Sequence, residues 1–364
     1  MSKIAITGAG GFLGLHVRAA ARELGVNTVA IPVGPGFDVD HAVGALDGAT
    51  RLIHLAGVNR GTDAEIQEGN ALFVQQLGQA LERCERAPES VIFANSIQAG
   101  NGTVYGTAKQ RAGAELGTAV ERADSTYEDV LLPNLFGEYG RPHYNSVVAT
   151  FSHVVARGGA PEVHQDKELQ LLHAQDAADI MLGVVGASDM DRASHRETVA
   201  GILGHLQEFA AHYTSGELPD LSSPFRRDLF NTYRAYAFPE NMPLPITRHA
   251  DKRGSFFEIV RSHGGTGQTS FSTTAPGITR GDHFHRRKVE RFTVLSGTAE
   301  IRLRRLFDDQ VFTYTITGDE PKSVDMPTLY AHNISNVGDD TLYTAFWTND
   351  IFDPSNPDTI PETV

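Results

Sequence analysis

The chain has 364 residues, 40% apolar and 21% charged, with 45 acidic against 31 basic side chains and a formal net charge of -14. Such a length exceeds one ordinary core and implies two domains, and the acidic balance disfavours a nucleic acid or an anionic membrane as partner. The single cysteine, Cys84, excludes an internal disulfide and a cysteine-built zinc site; with no signal-peptide core in MSKIAITG and no long apolar run, a cytoplasmic, soluble enzyme is expected.

From the N-terminus, strand and helix alternate. KIAIT (3–7) predicts a strand, and after a glycine turn LHVRAAARELG predicts a helix closed by Gly25. NTVAIPV, RLIHLAG, SVIFANS and DVLLPNLFG predict further strands, while NALFVQQLGQALERCE and AKQRAGAELGTAVERA carry helical spacing. The alternation implies an α/β, Rossmann-type doubly wound parallel sheet with helices on both faces. Residues 196–236 read as helices and loops that complete this domain or its substrate lobe. Near residue 240 the character changes, in the proline-bearing stretch YAFPENMPLPITRHADKRG. Beyond it SFFEIV, TSFSTT, RFTVLSG, AEIRLRRL, QVFTYTITG and TLYTAFWTN alternate with period two between turn residues, which implies an all-β sandwich or barrel. The expected domains are 1–243 and 244–364.

The first turn, TGAGGFLG, sets Gly8, Gly11 and Gly14 in GxxGxxG spacing between a strand and a helix. Glycines there allow a tight turn and close backbone approach to a pyrophosphate, whose charge a helix N-terminus favours. An NAD site usually has an acid at the end of the second strand. Here that point reads Ala30-Ile31-Pro32-Val33-Gly34, and Asp38 and Asp40 come later. NADP(H) is therefore admissible beside NAD. Arg60, after HLAGVN, could reach the adenosine end of a cofactor or be an exposed surface arginine. Further on, NSIQAGNGTVYGTAK places Tyr105 and Lys109 one helical turn apart on one face, with Ser96 at the end of the preceding strand. A lysine ammonium beside a tyrosine lowers the phenol's pKa and makes it a usable acid.

The glycine turn, Ser96, Tyr105 and Lys109 in this order resemble the short-chain dehydrogenase/reductase superfamily, extended type. HLAGVNR resembles its cofactor-lining loop, GNALFVQQL with Asn70 its helix asparagine, and LPNLFGEYG its loop near the nicotinamide and the sugar nucleotide. The resemblance implies catalysis by Ser96, Tyr105 and Lys109, cofactor contacts from Gly8, Gly11, Gly14, Tyr105 and Lys109, and substrate contacts from Asn134 and Asn145. Leu131 and Leu132 stand where relatives often have an arginine.

In the second domain the sequence runs Gly277, His283, His285, Glu290, Gly297, and MPTLYAHNISN adds His332. Alternation puts His283 and His285 on one face of a strand, and Glu290 begins the paired strand. Three imidazoles and a carboxylate suit a divalent metal, Zn²⁺ first and Fe²⁺, Mn²⁺ or Ni²⁺ besides. The spacing resembles both cupin motifs, with Leu329 where the second has glycine. DKRGSFFE followed by GITRGDHFH resembles the keto-sugar epimerase branch of cupins, which implies a substrate contact for Arg253 and a general-base role for His283. Ligand and base thus remain alternatives for His283. Arg280 is a candidate phosphate or enolate partner, and Tyr330 and Lys252 are candidates for the proton donor.

Together HLAGVNR, NSIQA, PNLFG, YNSVVATF, DKRGSF, PGITRGDHFH, AHNISN and FDPSNPDT resemble, in order and along nearly the whole chain, the CapF/WbjC-like family of bifunctional capsular-polysaccharide synthesis enzymes. The resemblance implies a reductase of the extended type fused to a cupin (jelly-roll) domain. It implies carbon-3 epimerisation of a UDP-4-keto-6-deoxy-2-acetamido sugar by the cupin and NADPH reduction at carbon 4. The product would be of the UDP-2-acetamido-2,6-dideoxy-L-talose type, towards UDP-N-acetyl-L-fucosamine, made by a homodimer. The alternative is a reductase alone active, with the cupin as a dimerisation or sensing module.

Overall fold

The computed structural model describes residues 3–252 and 254–364. Contacts divide the chain into two compact units, 1–135 with 170–196, and 136–169 with 197–364. The expected boundary at 243/244 lies inside the second of these.

In the first unit, β1 (Lys3–Thr7), β2 (Asn27–Ile31), β3 (Arg51–His54), β4 (Ser90–Ser96) and β5 (Thr126–Leu132) form one parallel sheet in the order β2-β1-β3-β4-β5. Side chains alternate across it. Ala5, Leu52, Val91 and Phe93 pack against α2 (Val39–Leu46), α3 (Asp63–Arg83) and α4 (Val104–Arg122). Ile4, Ile6, Ile53, Ile92 and Val130 pack against α1 (Phe12–Glu23) and the helix Ala174–Leu182. Both faces are thus covered, as a doubly wound parallel sheet requires. The chain reverses its winding between β1 and β3, and a crevice at such a switch point is where open α/β sheets bind ligands.

The second unit contains two antiparallel sheets. One runs Gln268–Thr274, Leu342–Thr348, Glu290–Ser296, Lys322–Met326, Leu244–Pro245; the other runs Val311–Thr317, Thr298–Arg305, Tyr330–Asn336, Thr279–Phe284, Ile360–Pro361. Their inner faces share a core of Phe292, Val294, Ile301, Leu303, Val324 and Ile334, the sandwich that period-two alternation predicts. The strand expected at SFFEIV is cut to Gly254–Phe256, which pairs only with His249–Asp251. Phe256 there is exposed.

The helices Val199–Thr214 and Pro224–Ala237 are bonded to the barrel rather than forming a separate lobe. The reason is polar. Arg291, buried on the barrel strand, makes a two-point ion pair with buried Asp325 at 2.6 and 3.1 Å and donates to the carbonyl of Gly216 at 2.6 Å. Asn231 donates to Arg287 O at 2.7 Å, and Arg234 to Met326 O at 3.3 Å. Among the described residues no helix is long and apolar enough to cross a membrane.

The buried pair yields a contrast in stability. Asp325→Ala leaves the Arg291 charge buried without its partner and is expected to cost about 3–5 kcal/mol in denaturant unfolding. Asp40→Ala breaks only the exposed Arg83–Asp40 pair, and the expected change is about 0.5 kcal/mol or less.

Candidate active and metal sites

The glycine turn is built by exclusion. Gly8 has φ +67°, and a Cβ on it would lie 2.8 Å from the amide nitrogen of Ala56. A Cβ on Gly14 would strike the carbonyls of Gly8 and Ala9. Gly11 caps α1, whose first turn carries no acid, so nothing there opposes a bound phosphate. Thr7 fixes the neighbouring loop: its hydroxyl accepts from the amides of Leu55 and Ala56 at 3.1 and 3.2 Å and donates to His54 Nδ1 at 2.6 Å. Asn70 completes that loop by donating to Val58 O and Ile66 O at 2.8 and 2.7 Å. Asp38 caps α2 and Asp40 pairs with Arg83, so neither sits at the end of β2. Arg60 is exposed.

Ser96 ends β4 and Tyr105 stands in the first turn of α4, where the Ser96 hydroxyl acts to lower the Tyr105 pKa. Lys109 is only 4% exposed; its ammonium donates to Ala94 O at 2.9 Å and lies 3.8 Å from the centre of the Phe93 ring, on which His54 stacks. Burial brings the lysine down to about 7, while Asp129 pulls the other way. Asp129 is held by Asn95 at 3.0 Å. The expected depression of the phenol by Lys109 is not found. Burial raises the Tyr105 pKa and only the Ser96 bond opposes it, because the lysine is turned towards Ala94 and Phe93. His54 and Asp129 are members of this network that spacing alone did not single out.

The second site gathers His283, His285, Glu290 and His332, whose ligand atoms all lie within 4.8 Å of one another. The three ring centres are 4.5 to 5.0 Å apart. His283 pairs with His332 across one sheet, after a bulge at Asp282. Glu290 does not begin the partner of that strand, as the sequence suggested, but reaches in from the facing sheet.

Hydrogen bonding fixes the tautomers. His285 Nδ1 faces the carbonyl of Asp358 at 2.5 Å, and His332 Nδ1 faces that of Tyr330 at 3.1 Å. A carbonyl only accepts, so each Nδ1 carries hydrogen. Each Nε2 then faces Glu290 Oε2, at 2.9 and 3.2 Å. Two lone pairs and a carboxylate converge, which calls for a cation between them. This donor set fits Zn²⁺ or a similar divalent ion. Burial pushes the Glu290 carboxyl up, while positive charge or an N–H at His285 and His332 holds it well below its ordinary value, so the buried carboxylate stays ionised when a cation or a proton lies between it and the rings. Burial lowers His283 to about 3, with the neighbouring histidines adding to it, so its ring is neutral, as either a ligand or a base must be.

The supports of this site were partly invisible in the sequence. The Asp358 carboxylate accepts from the amides of Arg286, Arg287 and Lys288 at 2.7 to 2.9 Å, which shapes the loop between His285 and Glu290. Leu329, where the motif has glycine, adopts φ +63°, the conformation that favours glycine, while its amide donates to His285 O at 2.8 Å. Thr328 donates to buried Glu138 at 2.6 Å, and Tyr139 donates to Thr328 O at 2.7 Å. A cavity of about 240 Å³ opens on Glu290, lined also by Lys288, Phe346, Thr348 and Phe352.

The remaining candidates are more scattered. Asn134 is exposed and donates to Gln170 O at 3.2 Å. Asn145 is exposed before the helix Val147–Ala156. Arg280 is exposed and reaches Thr273 O at 3.5 Å. Lys252 is exposed, and Arg253 lies outside the described residues. Tyr330 is corrected as a proton donor: it sits in the aromatic core with Tyr139, Phe238 and Phe312, and burial pushes it up to about 12.

Comparison with known proteins adds a full-length match. The family model of the polysaccharide biosynthesis C-terminal domain covers residues 249–360. The chain is 31% identical over 369 aligned positions to the UDP-2-acetamido-2,6-beta-L-arabino-hexul-4-ose reductase of Pseudomonas aeruginosa, spanning 98% of this chain and 97% of the relative. The crystal structure of the capsular polysaccharide assembling protein CapF from Staphylococcus aureus superposes with a TM-score of 0.63 at 33% identity, over 99% of this chain and 100% of that one. A spore coat polysaccharide biosynthesis protein of Bacillus subtilis is 27% identical over 122 residues, 31% of this chain and 81% of its own length.

The buried lysine predicts a pH effect. Lys109 titrates lower in the folded chain than in the unfolded one, so between about pH 7 and the ordinary lysine range the unfolded state binds more protons. Stability from this group therefore rises with pH through that window and is lowest below it. Lys109→Met is expected to gain about 2 kcal/mol or more at pH 6. The gain shrinks by pH 9 when thermal unfolding is followed at both values.

Proposed function

We propose a two-step sugar chemistry for this chain, which belongs to the CapF-like family of UDP-sugar reductases in capsular-polysaccharide biosynthesis. Its substrate is a UDP-4-keto-6-deoxy-2-acetamido-hexose. The cupin part, from residue 244, inverts carbon 3 and the reductase part, up to residue 243, reduces the carbon-4 ketone with NADPH. The product is a UDP-2-acetamido-2,6-dideoxy sugar of the L-talose type, towards UDP-N-acetyl-L-fucosamine, and the working form is a homodimer. The observation that carries this reading is the presence, in one chain, of a Ser96–Tyr105 pair with Lys109 and of two fixed imidazoles converging on Glu290.

In the reduction, NADPH supplies the hydride. Tyr105 gives its proton to the carbonyl oxygen as negative charge develops there, and Ser96 donates a hydrogen bond to the same oxygen. Both tasks suit hydroxyls close enough for Ser96 to act on the phenol. Lys109, held by Ala94 and Phe93, positions the ribose. Gly8, Gly11 and Gly14 leave the backbone open to the pyrophosphate. The absence of an acid at the end of β2 supports NADPH over NADH.

In the epimerisation, the carbon-3 hydrogen is acidic because the adjacent ketone delocalises the resulting charge. A divalent cation on His283, His285, Glu290 and His332 would stabilise that charge as a Lewis acid. If His283 is a ligand, the proton must pass to another group. Lys288 lines the same cavity, where its ammonium donates to Thr359 Oγ1 at 3.2 Å, and is a candidate for that role. Epimerisation is reversible and reduction removes the ketone, so the second step traps the product of the first.

Deuterium separates the two steps. In D₂O without NADPH, the wild-type chain is expected to exchange the carbon-3 hydrogen of the keto-sugar. Tyr105→Phe retains that exchange while losing at least about 100-fold in reduction. The double variant His285→Ala/Glu290→Gln loses exchange and still reduces an already epimerised ketone. No exchange by the wild-type chain would favour the reading in which only the reductase is active.

A further inference from the structure

A second cluster of metal-ligating side chains lies outside the sites above. His212 ends the helix Val199–Thr214, Glu217 follows it, and His263 lies in the segment that leads to the barrel. The three ligand atoms lie within 4.8 Å of one another. The backbone holds the two segments in register: Leu218 N–H donates to Arg261 O at 2.8 Å, and His263 N–H donates to Leu218 O at 3.0 Å.

The Glu217 carboxylate is divided between two tasks. Oε1 takes the Arg261 guanidinium at 3.2 Å. Oε2 faces His263 Nε2 at 2.6 Å and His212 Nδ1 at 3.8 Å. The two imidazole rings lie against each other, centres 3.9 Å apart. A simple ion pair accounts for one histidine on Glu217 but not for the second stacked beside it. Two protonated rings at that distance repel, so at least one ring is neutral and has a nitrogen lone pair to offer a metal. A divalent cation answers both lone pairs and the carboxylate oxygen together, and the Arg261 contact then orients the carboxylate, as partners behind metal ligands do. Side-chain exposures of 27, 24 and 38% leave the open side to water. Glu217 and Arg261 also line an adjoining cavity of about 330 Å³.

We propose that His212, Glu217 and His263 bind a second divalent cation of the zinc type, completed by water, which ties the end of the helix to the segment entering the barrel. Two nitrogens and one carboxylate oxygen favour zinc over magnesium or calcium. The site is separate from the His283 quartet and stands whether or not that quartet binds metal.

The test is zinc content of the full-length chain by mass spectrometry, after chelation and dialysis against micromolar zinc. His263→Ala and Glu217→Gln change partly exposed side chains, and chelated melting temperatures near wild type check that they fold. Each is expected to lose about one zinc per chain relative to wild type. The variant His285→Ala/Glu290→Gln keeps that zinc, together with a zinc-dependent rise in melting temperature that His263→Ala lacks. Unchanged zinc content in both His263→Ala and Glu217→Gln overturns the proposal, as does a wild-type chain that binds none.

Discussion

The carboxylate of Glu290, buried against two imidazole lone pairs, is the constraint on which the second unit is organised. A buried anion facing two acceptors is unstable unless a cation is present or the groups are forced together. Here they are forced together from every side. Glu290 comes from one sheet, His283 and His332 from the other, and His285 from the connecting loop. Two backbone carbonyls set the histidine tautomers. Asp358 gathers three successive amides to shape the loop, and Leu329 accepts a left-handed backbone so that its amide can reach His285 O. Such supports around one carboxylate fit the donor set proposed above for a divalent cation.

The same loops are also gripped by the helix Pro224–Ala237 and by the turn at Glu138 and Tyr139. Arg234 reaches Met326 O, Tyr139 reaches Thr328 O, Thr328 bonds Glu138, and Asn231 reaches Arg287 O. Arg291 and Asp325 add a buried ion pair that also fixes Gly216. Hence residues 136–169 and 197–237 fall with the barrel in one compact unit. In the first unit the organising device is different. Thr7 ties the glycine turn to the β3 loop, and His54, Phe93 and Lys109 stack in sequence beneath it.

Much of this was legible in the sequence because local chemistry specified it. The glycine turn, the Tyr105–Lys109 spacing and the His283–His285–Glu290 spacing each demand particular residues at short range, and KIAIT and SVIFANS match β1 and β4. Long-range features were less legible. Period-two alternation does not say which strand a strand pairs with, so Glu290 was expected beside His283 rather than across from it. The strands Lys322–Met326 and Tyr330–Asn336 were hidden by buried polar residues that answer one another inside the barrel, Asp325 with Arg291, Ser323 with Thr293 and Asn336 with Thr274 O. Asp358 is distant in sequence from every ligand it supports, although FDPSNPDT was among the segments carrying the family resemblance. Tyr330 is a candidate proton donor in the sequence because nothing local reveals the aromatic core around it.

The most direct test of the central claim is the visible absorption spectrum of the full-length chain loaded with Co²⁺, compared with Glu290→Gln and with His332→Ala. Convergence of His283, His285, His332 and Glu290 on one cation predicts ligand-field bands that change in both variants and persist in His263→Ala. A spectrum indifferent to Glu290 and His332 would contradict it.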